Sequence, residues 1–159
     1  MNQPRRVDRS SRTIAASRSR IYRALTSREA IQAWLPPAGA RGTVEAFDPR
    51  PGGAFCMTLI FDDPGETGRR KSSTHTDVVA GEFVELIPDV LVRQRFTFRS
   101  EDPAFAGTMS MTWTLAATPD GTEVRVAAED VPPGIRPQDH EVGMASSLAN
   151  LAKYLEQPQ

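Results

Sequence analysis

The spacing of apolar residues changes along this chain, and that change constrains the fold more than any other feature of the sequence. From about residue 43 to residue 128 apolar and polar side chains tend to alternate, as is typical of strands with one buried face. After Val131-Pro132-Pro133-Gly134 the spacing becomes helical, from about Pro137 to Glu156. The sequence therefore predicts an antiparallel sheet followed by one long helix that covers its apolar face.

Local signals predict the remaining elements. Ser17 is expected to cap a first short helix, and Thr26 with Glu29 forms a capping box that opens a second one. Pro36 and Pro37 end this second helix. The predicted strands are 11–16, 43–47, 54–61, 72–86 with a bend or bulge at Gly81, 91–98, 108–116 and 122–128. The predicted fold class is α+β: a curved antiparallel sheet of about six to seven strands around a long C-terminal helix, with two short helices after the first strand.

Size and composition are those of one ordinary domain. The 159 residues are 39% hydrophobic and 25% charged, so a core can form without a metal or a disulfide. We expect a flexible tail over residues 1–10 and one domain over residues 11–157. The single cysteine, Cys56, fits a reducing compartment, and the sequence shows neither an apolar leader nor a spanning segment. We therefore expect a cytoplasmic protein without a membrane span.

Charge and potential metal ligands argue against two further classes. The net charge is −1, and the arginines that crowd the chain between Arg5 and Arg23 are not regularly interleaved with aromatic residues, as those of a nucleic-acid surface would be, since only Tyr22 lies among them. The two histidines, His75 and His140, lie far apart without the spacing of a metal site. We expect no nucleic-acid partner, no metal and no other cofactor.

Several segments resemble those of a known family and occur in the same order. They are Arg12-Thr13-Ile14-Ala15-Ala16-Ser17, Arg23-Ala24-Leu25-Thr26, Ala33-Trp34-Leu35-Pro36, Asp48-Pro49-Arg50-Pro51-Gly52-Gly53-Ala54-Phe55, Gly81-Glu82-Phe83-Val84-Glu85-Leu86-Ile87-Pro88, Glu141-Val142-Gly143-Met144 and Leu148-Ala149-Asn150-Leu151. From about residue 11 to residue 155 the chain resembles the homologues of the activator of heat-shock protein 90 ATPase, within the START-like (SRPBCC) superfamily. One departure is Met144, where the family often has tryptophan.

The resemblance implies a helix-grip fold with a hydrophobic cavity between the sheet and the C-terminal helix. Relatives in the superfamily bind lipids, hormones or polyketides, and some catalyse cyclisation. We therefore expect a protein of the small bacterial branch that binds an apolar small molecule. The alternatives are a cavity enzyme of the polyketide cyclase or hydrolase type and a partner that stimulates a heat-shock protein 90 ATPase. We do not expect the chaperone partner, because 159 residues leave no room for the activator's additional domain. A homodimer through an exposed strand edge stays open.

The candidate ligand-binding residues are apolar side chains on inward-facing strand positions and on the last helix. Methionine, which adapts to varied shapes, is frequent among them. The alternative for each of these residues is a place in a filled core. The candidates are Phe55, Met57, Leu59, Phe61, Phe83, Phe96, Phe98, Met109, Met111 and Trp113 on strands, with Met144 and Leu148 on the helix.

A histidine supplies the polar candidate for the same site. His75 and Asp77 fall on one face of a predicted strand, where the carboxylate could orient the imidazole as a base. The alternative is a surface pair near a hairpin end, and we assign no catalytic residue. If His75 faces inward, it is the best polar anchor for a ligand. Asp139, His140 and Glu141 are interpreted as charged residues at the start of the last helix.

Overall fold

Seven strands form one antiparallel sheet in the computed structural model, which describes residues 6–36, 40–61, 76–98 and 107–156. The strand order is β1-β7-β6-β5-β4-β3-β2, so neighbours in the chain pair by hairpins from β2 to β7, and β1 joins the sheet beside β7. This architecture confirms the predicted α+β fold with a long C-terminal helix.

The bounds of the elements follow the predicted periods closely. Strands β3 and β5 and helix α3 have the predicted limits, whereas several other strands are longer. The elements are β1 Val7–Ile14, α1 Arg18–Leu25, α2 Arg28–Trp34, β2 Ala40–Phe47, β3 Ala54–Phe61, β4 Thr76–Ile87, β5 Leu91–Phe98, β6 Gly107–Thr118, β7 Gly121–Glu129 and α3 Pro137–Glu156.

The first strand begins at Val7, four residues before the predicted start at residue 11. Residues 7–10 pair with residues 126–129 of β7, and Asp8 is almost fully buried there. Their polar sequence predicted a tail because a strand of mixed polarity carries little periodic signal. Residues 1–5 of the predicted tail lie outside the described residues.

The caps of the two short helices differ from the prediction at one residue. Ser17 caps α1 as expected and accepts a hydrogen bond from the backbone nitrogen of Arg20. The predicted cap of α2 at Thr26 was wrong, because the Ser27 hydroxyl accepts the bond from the nitrogen of Ala30. Thr26 ends α1 instead, where its hydroxyl donates to the carbonyl of Tyr22 at 2.8 Å. Adjacent Thr and Ser residues can both cap, and the end of α1 decides between them.

The register of β4 changes between Phe83 and Glu85, so the irregularity lies beyond Gly81, and of the predicted bend or bulge at Gly81 the bulge was wrong. Gly81 pairs regularly with Phe55 on one side and Phe96 on the other. A Cβ atom at position 81 would collide with the backbone of Arg95 and Phe96. Gly81 therefore allows β4 and β5 to approach each other closely at this point.

Helix α3 packs its apolar side against the sheet and the two short helices. Its buried residues are Met144, Leu148, Leu151, Ala152 and Leu155. Val142, by contrast, points to solvent and is 70% exposed. No helix in the described part of the chain is long and apolar enough to cross a membrane.

Candidate ligand-binding site

A cavity of about 400 Å³ lies between the sheet and α3, and we call it the α3 cavity. Strands β3 to β6 line it from one side and α3 from the other, while α1 and α2 contribute apolar residues. Its volume falls in the range of ~300–1,000 Å³ typical of small-molecule sites. The apolar lining residues are Leu25, Ile31, Trp34, Leu35, Phe55, Met57, Leu59, Val79, Phe96, Met109, Met111, Trp113 and Met144.

One stripe of α3 forms the helical wall of the cavity. His140, Gly143, Met144, Ser147 and Asn150 recur at intervals of three or four residues, so they share one side of the helix. From His140 to Asn150 this wall measures roughly 15 Å at the rise of an α-helix. Gly143 is exposed although it lines the cavity, and a Cβ atom there would meet open space. The cavity therefore reaches the protein surface at Gly143.

Eight of the thirteen predicted ligand-binding residues line this cavity. They are Phe55, Met57, Leu59, Phe96, Met109, Met111, Trp113 and Met144. Phe83 and Leu148 are fully buried in the core beside it. His75 lies outside the described residues, and so do the side chains of Phe61 and Phe98. Ligand contact by any of these residues stays a prediction.

Aromatic rings form two edge-to-face contacts on the cavity wall. Phe55 and Phe96 face each other across Gly81, with ring centroids 5.8 Å apart, because a glycine leaves the space between them free. Trp34 of α2 and Trp113 of β6 meet with centroids also 5.8 Å apart. Such pairs hold their rings in fixed orientations. The wall is therefore shaped by rigid rings as well as by flexible methionines.

Gln94 is a polar residue on the otherwise apolar face of β5. It is 7% exposed, and its Oε1 accepts a hydrogen bond from Trp113 Nε1 at 3.2 Å. An indole N–H can only donate, which fixes the amide oxygen on the side of Trp113. The amide nitrogen of Gln94 keeps two hydrogens, and among the described residues it donates no hydrogen bond. A buried donor without a partner therefore lines the cavity.

His140 is the second polar residue of the cavity wall, and its side chain is 15% exposed. Its Nδ1 lies 2.8 Å from Asp8 Oδ2, and Arg6 holds the same carboxylate through Nε and Nη2. Burial raises the pKa of Asp8, but the hydrogen bonds and charges of Arg6 and His140 outweigh burial and leave this pKa below its ordinary value. Asp8 is therefore ionised at neutral pH and accepts a hydrogen from Nδ1. In the neutral ring Nε2 is then an acceptor.

The strand register relates these two polar groups to each other. Opposite residues across β1, β7, β6 and β5 are Asp8, Ala128, Met111 and Gln94. At the usual strand spacing Asp8 and Gln94 are about 14 Å apart in one row. His140 of α3 contacts the Asp8 end of this row and lines the cavity, as Gln94 does at the other end. The cavity wall thus contains an imidazole and an amide at separate points.

Sequence reasoning missed His140 and Asp8 as parts of the site. His140 was interpreted as one of the residues at the start of the helix, but Asp8 draws it against the sheet from 132 positions away in the chain. No local spacing indicates that contact. Gln94 carried a signal, since it interrupts the apolar face formed by Val92 and Phe96. No group of three or more potential metal ligands comes together among the described residues, and the absence of cofactors stays a prediction.

Comparison with known proteins identifies relatives over nearly the whole chain. The sequence model of the family described as "Activator of Hsp90 ATPase homolog 1-like protein" matches residues 15–156. A search of curated proteins gave no match. The family is therefore supported by a match to most of the chain, as the resemblance of the segments predicted.

Solved structures with the same fold come from several bacteria. Protein CV1439 from Chromobacterium violaceum is 30% identical, with a TM-score of 0.80 over 96% of this chain and 98% of that one. Protein MLL2253 from Mesorhizobium loti is 22% identical, with a TM-score of 0.74 over 97% and 99% of the two chains. An AHSA1-like protein from Aeromonas hydrophila is 18% identical, with a TM-score of 0.71 over 95% and 92%. The two less identical structures support the fold alone.

Proposed function

Because this chain belongs to the family of activator of Hsp90 ATPase homolog 1-like proteins, we propose that it binds a small, largely apolar molecule in the α3 cavity. The family has the helix-grip fold of the START-like superfamily, which supports a ligand-binding type of domain in general. The residues that contact the ligand are those of the cavity wall, with Met144 on α3 opposite Met111 and Trp113 on β6.

One observation carries this proposal: the cavity has an apolar wall, a volume of about 400 Å³ and an opening at Gly143. When a ligand removes the apolar cavity wall from water, the burial favours binding by about 25 cal/mol per Å². A core with the same side chains but no space would offer nothing to a ligand. The space between sheet and helix is therefore the feature that favours binding over a purely structural role.

The test is a titration with N-phenyl-1-naphthylamine, a neutral aromatic probe whose fluorescence rises in apolar surroundings. We expect saturable enhancement with the wild-type protein. In the Met144→Trp variant the larger side chain occupies part of the cavity and obstructs the probe, so the affinity for the probe should fall at least tenfold. The matched control is Val142→Trp, which adds the same side chain to the exposed side of the same helical turn and should bind like the wild type.

Exciting the probe directly keeps the new tryptophans out of the signal, and circular dichroism reports whether each variant is folded. Equal binding by Met144→Trp and the wild type would place the probe elsewhere and count against the α3 cavity. No enhancement with the wild type up to the solubility limit of the probe would count against the proposed function itself.

A reaction in the same cavity is the second candidate, and the His140–Asp8 pair favours it. A histidine oriented by a buried carboxylate is suited to general base catalysis, and it takes the place that His75 had in the sequence-based hypothesis. Mass spectrometry of a bound compound before and after incubation distinguishes the two functions. Recovery of the compound unchanged supports binding alone. The cytoplasmic location, the homodimer and the absence of a chaperone partner stay predictions.

A further inference from the structure

We propose that the ligand of the α3 cavity carries a hydroxyl group bound by His140 and a second oxygen bound by the amide nitrogen of Gln94. This inference rests on the proposed function and adds the chemical class of the ligand: a largely apolar molecule with a weakly acidic hydroxyl, such as a phenol or an enol, and an acceptor such as a carbonyl. The inference is carried by two polar groups on one apolar wall, the buried amide of Gln94 and the partly buried imidazole of His140.

The amide nitrogen of Gln94 is a buried donor that has no partner among the described residues. A buried amide N–H without a partner costs free energy, so such a group is rare in folded proteins unless a water or a ligand completes it. Trp113 fixes the amide oxygen, which leaves only the nitrogen for a ligand. That nitrogen donates and cannot accept, so it requires a ligand oxygen with a free lone pair.

The Nε2 atom of His140 is the second polar group of the cavity wall that can bind a ligand. Nδ1 is engaged by Asp8, and no described residue hydrogen-bonds Nε2. In the neutral ring Nε2 accepts a hydrogen, and in the protonated ring it donates one. A hydroxyl group matches both states, because it donates to the first and accepts from the second. A carbonyl or an ether would match only the protonated ring, and a methyl group would match neither.

The surrounding charges strengthen the preference for a hydroxyl. Asp8 of β1 contacts the imidazole, and Arg6, just before β1, pairs with the same carboxylate, so the ring is oriented without a net charge beside it. The rest of the cavity wall is mainly apolar and includes Met111 beside Gln94 and Met109 beside Phe96. A fully charged ligand would lose its hydration against that wall without a matching counter-charge. A neutral molecule with two polar points avoids this cost.

The experiment compares probes of nearly equal shape by isothermal titration calorimetry. The pair 2-naphthol and 2-methylnaphthalene tests His140, and the pair 2-acetylnaphthalene and 2-isopropylnaphthalene tests Gln94. With the wild-type protein we expect the oxygen-bearing member of each pair to bind about three- to tenfold more tightly, the effect of one net hydrogen bond.

Two variants connect each preference to its residue. His140→Phe keeps a ring but has no nitrogen, and it should reduce the naphthol preference to about one. Gln94→Met keeps the length of the side chain but has no amide, and it should do the same for the acetyl preference. Glu141→Gln is the matched control on the same helical turn, since Glu141 is exposed and does not line the cavity. It should retain both preferences.

The outcomes separate this inference from the proposed function. If the members of both pairs bind equally well to the wild type, the cavity binds apolar molecules but the polar anchors are overturned. If none of the four probes binds, the proposed function fails and the inference with it. Because the wild-type comparison needs no variant, a variant that fails to fold does not remove the test. A preference that survives His140→Phe in a folded protein would also overturn the role of His140.

Discussion

Two neighbouring regions under the same sheet are built from the same kinds of residues, yet one is filled and the other is hollow. In the filled region Phe47, Phe55 and Phe83 make three mutual edge-to-face contacts, with ring centroids 5.4–6.2 Å apart, and Phe55 lies at its border because it also lines the cavity. In the hollow region Met109, Met111 and Trp113 face α3 across the cavity. Both regions come from strands with alternating apolar residues.

The difference teaches that apolar alternation decides which side chains face inward but not whether they meet. Where β2, β3 and β4 bring phenylalanines together, the rings fill the space. Where α3 passes over β5 and β6, Gly143, Ser146 and Ser147 supply too little volume to close the gap. The cavity therefore depends on two features: small residues on the helix leave the gap open, and large residues on the sheet form its wall.

The largest expected effect is a difference between two identical truncations. Phe83→Ala, in the filled region, should lower the free energy of unfolding by about 3–5 kcal/mol through lost burial and a new void. Phe96→Ala should cost about 1–2 kcal/mol less, because the Phe96 ring already faces the cavity on one side and has fewer packed neighbours to lose. Urea unfolding followed by circular dichroism measures both variants. Equal losses would mean that the two regions are packed alike.

Gly81 lies where the two regions meet, and replacing it should be costly. Gly81→Ala introduces a Cβ atom against the backbone of Arg95 and Phe96, which side-chain rotation cannot relieve. We expect a loss of about 1–3 kcal/mol in the free energy of unfolding, the usual range for overpacking. The same urea titration checks it. An unchanged midpoint would show that β4 and β5 can separate without cost.

The polar end of the hollow region should give stability a pH dependence. The pKa of Asp8 is lower in the folded protein than its ordinary value of 3.8. Its contribution to stability is therefore fully present above that ordinary value and is lost as the pH falls through the lower folded value. Asp8→Asn should be less stable than the wild type at pH 7, by about 1–3 kcal/mol for a buried polar contact weakened on one side.

The comparison is made by urea unfolding at pH 7 and pH 3 for both proteins. The gap between Asp8→Asn and the wild type should narrow at the lower pH, because pH 3 lies below the ordinary pKa of 3.8 and the unfolded wild-type chain then binds a proton at Asp8 that the folded protein resists. A gap of constant size would mean that the Asp8 charge contributes nothing to folding, and that Arg6 and His140 do not stabilise the carboxylate.

The smallest expected effect is a gain at the opening of the cavity. Gly143→Ala adds a methyl group on an exposed helical position with open space around it. We expect the free energy of unfolding to rise by up to about 1 kcal/mol, the difference in helix propensity between the two residues. Thermal unfolding checks the sign. A loss instead of a gain would mean that the mouth is tighter than the geometry indicates.

Much of the fold could be predicted from the sequence because its signals are local. The two-residue period of Phe55, Met57 and Leu59 is visible in β3 alone, and the proline-glycine stretch before Pro137 marks the change to a helix. Strand ends were less predictable, as β1 shows, since pairing with β7 extends a polar segment that has no period of its own.

The apolar part of the site could be predicted wherever the alternation of a strand showed which side chains face inward. The polar part was not, because Asp8 and His140 meet only through the fold. Which region is filled and which is hollow also could not be predicted from the sequence. By alternation, Phe83 and Phe96 are both predicted to face inward. Only the folded structure shows that Phe96 lines the cavity while Phe83 is buried in the core.

The most direct test of the central claim uses the methionines of the hollow region. Met57, Met109, Met111 and Met144 all line the α3 cavity, and methyl-¹³C-methionine labelling gives each one a separate NMR signal. Addition of 2-naphthol to the labelled protein should shift all four signals together along a single binding curve. If the four signals stay in place while the probe approaches its solubility limit, the hollow region is closed to ligands and the account is contradicted.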